Sequence, residues 1–192
     1  MAQKKRPGST NRVRIIGGQW RGRLIRFPDA HGLRPTSDRV RETLFNWLQF
    51  DLHGRRVLDL FAGSGALGFE AASRGAAQVI MLEQSPRVAA QLEQSAQELQ
   101  AEQVQIVRGD GHGYLAVNHA QPFDVVFLDP PFNKDLLVPA LATLHDRKLL
   151  SPGAYIYIEM PVHEPVPELP EGWTLERVKE AGDVRYGLIN CP

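Results

Sequence analysis

One short segment constrains the fold of this chain more than any other. Val57-Leu58-Asp59-Leu60-Phe61 runs straight into Ala62-Gly63-Ser64-Gly65-Ala66-Leu67-Gly68. An apolar run of this length reads as a buried strand, and the Ala/Leu-rich stretch after it reads as the start of a helix. Gly63, Gly65 and Gly68 permit a tight turn between the two and let a ligand or a neighbouring element approach the backbone closely. A strand that turns directly into a helix belongs to a parallel sheet covered by helices. The rest of the chain continues that alternation. Strands are expected at 55–60, 78–83, 103–108, 123–128 and 154–160, and helices over 65–75, 85–101, 111–118 and 134–146. The ending differs: Trp173–Lys179 and Val184–Ile189 flank Glu180-Ala181-Gly182-Asp183 and predict a terminal antiparallel pair.

Upstream of this alternation the chain is basic. Net charge is zero over 192 residues, yet residues 1–42 carry eleven Lys or Arg against three acids, so that segment is +8 and the remainder −8. A basic end on an acidic body suits a polyanionic partner. Residues 1–11 read as a flexible basic arm and residues 12–27 as a basic β-hairpin, with Gly17-Gly18-Gln19-Trp20-Arg21-Gly22 turning between two β-prone runs. Arginines should line one face of its strands and aliphatic residues the other. Arg14, Trp20, Arg21, Arg23, Arg26, Arg34 and Arg39 are the candidate nucleic-acid contacts, although Trp20 could equally cap the hairpin against the main domain, residues 28–192. A helix capped by Thr36 or Ser37 should run to about Phe50, with Val40, Leu44, Trp47 and Leu48 on one face.

Several function classes are disfavoured. No run approaches the roughly 18 apolar residues of a membrane span, and no apolar stretch follows the basic N-terminus as a secretory signal requires. The single cysteine, Cys191, excludes an intrachain disulfide or a cysteine-rich zinc site. The six histidines are scattered without ligand spacing, so no metal is expected. These features fit a cytoplasmic protein.

The glycine loop, with Glu83 twenty residues beyond Gly63 at the end of the next strand, is the pattern of a nucleotide-binding turn whose acid holds ribose hydroxyls. Asp59 argues against a dinucleotide, since its carboxylate would face the pyrophosphate. A ligand bearing an ammonium and a sulfonium would be attracted instead, and S-adenosylmethionine carries both. Asp110, in Gly109-Asp110-Gly111, is a candidate partner for the adenine amino group, or simply a turn former.

The fourth strand of the alternation ends in Asp129-Pro130-Pro131-Phe132. Each residue before a proline is pushed towards an extended conformation, so Asp129 and Pro130 are held stiffly. A side-chain and a main-chain oxygen side by side can both accept from one –NH₂ group, and Phe132 offers a face for an extruded base. The lone pair of a base amine is delocalised into the ring, so gripping its hydrogens favours a more nucleophilic nitrogen. Asp129 is also suited to taking the released proton. These residues point to methyl transfer onto an exocyclic base amine, with guanine and adenine both open.

In these motifs the chain resembles the class I, Rossmann-like methyltransferases, with Asp59–Gly68, Glu83, Asp110 and Asp129–Phe132 in the expected order. More specifically, Arg14–Arg23, Leu33–Leu48, Phe61–Gly68 and Asp129–Phe132 are similar to the bacterial 16S ribosomal RNA guanine-N2 methyltransferase D family. That resemblance implies a seven-stranded, mostly parallel sheet with S-adenosylmethionine as cofactor, and N2 methylation of one guanine in 16S rRNA within the small subunit. It also implies cofactor contacts from Asp59, Gly63, Gly65, Glu83 and Asp110, and contacts to the base from Asp129, Pro130 and Phe132. By the same resemblance, the helix opened by Thr36 flanks the cofactor's methionine end. Phe69 departs from the aliphatic residue expected there, and no function attaches to it. Adenine-N6 methylation is the alternative, although 192 residues leave little room for a target-recognition domain. A nicotinamide-dependent oxidoreductase leaves Asp59 and the Asp-Pro-Pro motif unexplained, and a non-catalytic assembly factor would not require that motif.

Overall fold

A computed structural model describes residues 10–28, 36–117, 121–132 and 134–192. The chain forms β1 (Thr10–Arg14), β2 (Leu24–Pro28), α1 (Asp38–Trp47), β3 (Arg56–Asp59), α2 (Ala66–Ser73), β4 (Gln78–Glu83) and α3 (Pro86–Leu99). It continues through β5 (Val104–Arg108), α4 (Gly111–Leu115), β6 (Phe123–Leu128), α5 (Leu137–Asp146), β7 (Leu150–Pro161), β8 (Thr174–Ala181) and β9 (Val184–Cys191).

The main sheet has seven strands in the order β5-β4-β3-β6-β7-β9-β8. The first five are parallel, and β9 and β8 are added antiparallel. Chain order reverses between β3 and β6, which opens a crevice at the carboxyl ends of the strands. The central strands are apolar throughout because both of their faces are covered. Val57, Val79, Met81, Val125, Phe127 and Tyr157 face one apolar cluster; Leu58, Ile80, Leu82, Val126, Leu128, Ile156 and Ile158 face the other. This alternation fixes the register of the central strands.

Helix boundaries follow from local chemistry. Ser37, not Thr36, caps α1, and its side chain accepts from the Val40 N–H at 3.4 Å. Ser85 caps α3 ahead of Pro86 at the first helical position. Helix α1 ends at Trp47, short of Phe50, which is exposed. Helix α5 begins at Leu137, after Asp135 at φ 44 interrupts the run expected from 134. Strand β7 begins at Leu150, four residues early, with an irregularity in its pairing to β6 between Phe123 and Val125.

The hairpin forms as a separate two-stranded sheet, with a nine-residue connection, 15–23, in place of the six-residue turn expected. Val13, Ile15, Ile25 and Phe27 are buried in the same apolar cluster as α1, α2 and α3. Arg12, Arg14 and Arg26 lie on the outer, exposed face, Arg12 opposite Arg26. The connection is pinned to α2 by the buried carboxylate of Glu70, which accepts the Ile16 and Gly17 N–H groups, each at 2.7 Å, and Arg74 Nε at 2.8 Å. Arg41, fully buried on α1, sits 3.6 Å from Glu70 and donates to the Arg14 carbonyl at 2.9 Å. Ser73 adds a hydroxyl that donates to the Gly17 carbonyl at 2.6 Å and accepts the Trp20 N–H at 2.9 Å.

Candidate active site

The residues singled out by sequence converge on the carboxyl edge of the sheet. Asp59 ends β3, Glu83 ends β4, Asp110 follows β5 and Asp129 follows β6. The glycine loop runs from β3 into α2, with Gly63 and Gly65 at φ 49 and 79. Gly65 is the residue that caps α2, and a Cβ there would lie 2.6 Å from Leu92 Cδ2 and 2.8 Å from Phe69 Cδ2. Phe69, which interrupts the aliphatic pattern, is therefore a packing residue under the loop. A Cβ on Gly68 would sit 2.7 Å from the Met81 sulfur, so this glycine lets α2 lie close on β4.

Asp59 is buried and accepts the Gly68 N–H at 3.0 Å, tying the strand end to the first turn of α2. Burial pushes its carboxyl up to about 7, with Asp129 and Glu83 as additional negative neighbours and backbone hydrogen bonds from Gly68 and Phe61 opposing the shift. Glu83 accepts the Gly63 N–H at 3.1 Å and the Ser85 N–H at 2.7 Å, so it braces the loop; burial raises its proton affinity too. A carboxylate has lone pairs beyond those two bonds with which to accept ribose hydroxyls. Asp110 is exposed and caps α4, accepting the Gly113 N–H at 2.8 Å.

Across the crevice, Thr36 Oγ1 donates to Asp129 Oδ2 at 3.1 Å. Burial pushes the Asp129 carboxyl up to about 6, and the Thr36 hydrogen bond pulls it back. Pro130 is buried, while Pro131 and Phe132 are exposed.

Two residues of this site were not among the sequence candidates. Glu159, buried near the end of the apolar strand β7, faces Asp129, and its Oε1 accepts the Tyr157 hydroxyl at 2.7 Å. Burial and the Asp129 charge push Glu159 up to about 8. A lone glutamate in Tyr155-Ile156-Tyr157-Ile158-Glu159-Met160 was the available signal. Most of the candidate RNA contacts are exposed. Arg14, Arg21, Arg23, Arg26 and Arg39 are exposed, Trp20 packs half-buried against the core, and Arg34 lies outside the described residues.

The buried carboxyls of Asp59, Glu83, Asp129 and Glu159, clustered beside a glycine turn at a topological switch point, suit a cationic ligand with a ribose. A solved Escherichia coli structure described as a methyltransferase, yhhF, superposes with a TM-score of 0.85 at 44% identity, covering 94% of this chain and 98% of that one. The fold and the site together define the class: a Rossmann-like, S-adenosylmethionine-dependent methyltransferase. A family model described as conserved hypothetical protein 95 matches residues 13–190. Ribosomal RNA small subunit methyltransferase D of Escherichia coli K12 is 44% identical over 186 residues, covering 97% of this chain and 93% of that protein. The Haemophilus influenzae protein of the same name is 45% identical over 191 residues, covering 98% of both. This chain belongs to that methyltransferase family.

Proposed function

We propose that this chain methylates the exocyclic N2 amine of one guanine in 16S rRNA, within the assembled or assembling small subunit. The observation that carries the reading is Asp129 in its rigid Asp-Pro-Pro-Phe setting, one oxygen held by Thr36 and the other left for an amine. The buried acids fit the cofactor, because an ammonium or sulfonium relieves the mutual repulsion of Asp59, Glu83 and Asp129. When bound, S-adenosylmethionine supplies an electrophilic methyl group on a sulfonium.

The chain's own residues do the rest. Gly63 and Gly65 turn the backbone around the ligand, Glu83 accepts from the ribose, Asp110 accepts from the adenine amine, and Thr36 borders the methionine end. Asp129 accepts an N–H of the target amine, orients its lone pair and takes the proton released on transfer. Phe132 stacks on the extruded base, flanked by Pro130 and Pro131. Arg14, Trp20, Arg21, Arg23, Arg26, Arg34 and Arg39 hold the rRNA backbone, making residues 12–27 an RNA-contacting hairpin between a basic arm, 1–11, and the methyltransferase domain, 28–192. A cytoplasmic location follows from this substrate, and the chemistry calls for neither metal nor membrane.

Labelled methyl transfer to undermethylated small subunits and to naked 16S rRNA, followed by nucleoside analysis, tests this reading. N2-methylguanosine is the expected product, with subunits the better substrate. N6-methyladenosine would overturn the assignment of the base.

A further inference from the structure

Glu159 is a buried acid that packing alone does not call for, since its neighbours on β7, Ile158 and Met160, are apolar and buried. Ile158 pairs in register with Leu128 of β6, so the next residues, Glu159 and Asp129, stand side by side one strand spacing apart, about 4.8 Å. Phe127 and Tyr157, two residues earlier on each strand, belong to one apolar cluster and mark the face that the two acids share. Among the described residues Glu159 has no cationic partner; its hydrogen bond is a donation from the Tyr157 hydroxyl to Oε1 at 2.7 Å. A buried carboxylate is costly unless donors meet it, and one hydroxyl leaves most of its lone pairs unused. Burial and the neighbouring Asp129 raise its proton affinity, whereas Tyr157, and any N–H brought alongside, favours the anion.

Guanine and adenine differ in what lies beside the amine. On guanine the N2 amine is flanked by N1–H, a second donor on the same edge. On adenine the N6 amine is flanked by N1 with a lone pair, and cytosine presents the same pattern. Asp129 can grip the amine of any of these bases, so its motif leaves the choice open. Resting on the functional reading above, we propose that Glu159 reads guanine, accepting N1–H while Asp129 accepts an N–H of the N2 amine. Two carboxylates on adjacent strands thus meet two adjacent donors of an extruded base, and Tyr157 holds the second carboxylate in place. A base with a lone pair beside its amine leaves Glu159 unpaired and repelled, which is how a buried acceptor rejects an analogue lacking the donor.

The test is 2-aminopurine, which keeps the amine of guanine and carries a lone pair at N1. Small subunits reconstituted with 2-aminopurine at the guanine mapped by labelled transfer are compared with the guanine form. Wild type should lose at least about 30-fold in kcat/KM on this replacement, whereas Glu159→Ala, slower on guanine, should lose no more than about threefold. The base analogue also lacks O6, but that loss is common to both enzymes and cancels in the comparison. The S-adenosylmethionine Kd of Glu159→Ala should stay within a few-fold of wild type. A merely structural Glu159 would slow both substrates alike and leave the wild-type ratio intact, which would overturn the proposal. Wild type treating the two bases alike, or a Kd that worsens in step with the rate, would overturn it too. Glu159→Gln, whose amide can accept from N1–H or donate to a lone pair, should also narrow the ratio and serves if Glu159→Ala does not fold. No transfer to guanine subunits by wild type would overturn the functional reading and the proposal with it; transfer to guanine with an unchanged ratio overturns the proposal alone.

Discussion

Thr36 and Asp129, 93 residues apart, are joined by a hydrogen bond of 3.1 Å from Oγ1 to Oδ2. Through it, the residue just before the cap of α1 reaches across the crevice to the strand end that carries the proposed base-amine acceptor. The hydroxyl stabilises the anionic form of Asp129, so losing it raises the pH at which Asp129 ionises. Asp129, pushed up to about 6, should set the acid limb of kcat/KM for RNA, and Thr36→Val should shift that limb to higher pH. An unshifted limb would mean that Thr36 does not act through Asp129.

Cofactor affinity should depend on pH in the opposite sense to apo stability. Asp59 holds its proton up to about 7 in the folded chain, against roughly 4 when unfolded. The folded state thus binds that proton more tightly, and stability from this group falls as pH rises from about 4 to about 7, by a few kcal/mol at most. A cationic ligand favours the ionised form, so binding releases protons. Calorimetry at pH 5.5, 6.5 and 7.5 should show S-adenosylmethionine affinity rising with pH and then levelling; a falling affinity would contradict the assignment of Asp59.

Glu70 should be worth more to stability than any exposed ion pair. It is fully buried and joins Ile16, Gly17, Arg41 and Arg74, so removing it leaves the part-buried Ile16 and Gly17 N–H groups without an acceptor and Arg41 with only Asp38 and the Arg14 carbonyl. Glu70→Ala should cost about 3–5 kcal/mol in urea unfolding. A loss under about 1 kcal/mol would show that the hairpin is held by its apolar face alone.

The exposed arginines of the hairpin predict a salt effect rather than a loss of base choice. Arg21→Gln with Arg26→Gln should weaken RNA binding and reduce the slope of log K against log salt by roughly 1.4–1.8, about 0.7–0.9 for each lost phosphate contact. The methylated nucleoside should not change. An unaltered slope would assign this surface to packing.

The sheet, its terminal antiparallel pair and the convergence of Asp59, Glu83, Asp110 and Asp129 were legible because they follow from strand periodicity and from turn residues next to one another in sequence. The Glu70 clamp and the contact of Thr36 with Asp129 were not. Glu70 lies 54 residues from its partner Ile16, and Thr36 reaches Asp129 only once α1 has packed across the crevice. Glu159 looked like one polar residue in an apolar strand; its meaning depends on β7 lying beside β6, with Ile158 paired to Leu128. The nine-residue length of the hairpin connection is not legible locally, because its turn bonds at 18–23 are supplemented by bonds to Glu70 and Ser73 more than 50 residues away.

The central claim is a division of labour: Asp59, Glu83 and the glycine loop hold the cofactor, and Asp129 holds the amine. Single-turnover methyl transfer by Asp129→Ala, measured beside its S-adenosylmethionine Kd, tests that division most directly. The rate should fall by about 10²-fold or more while the Kd stays within a few-fold of wild type. A Kd that worsens in step with the rate would place Asp129 among the cofactor's ligands and contradict the account.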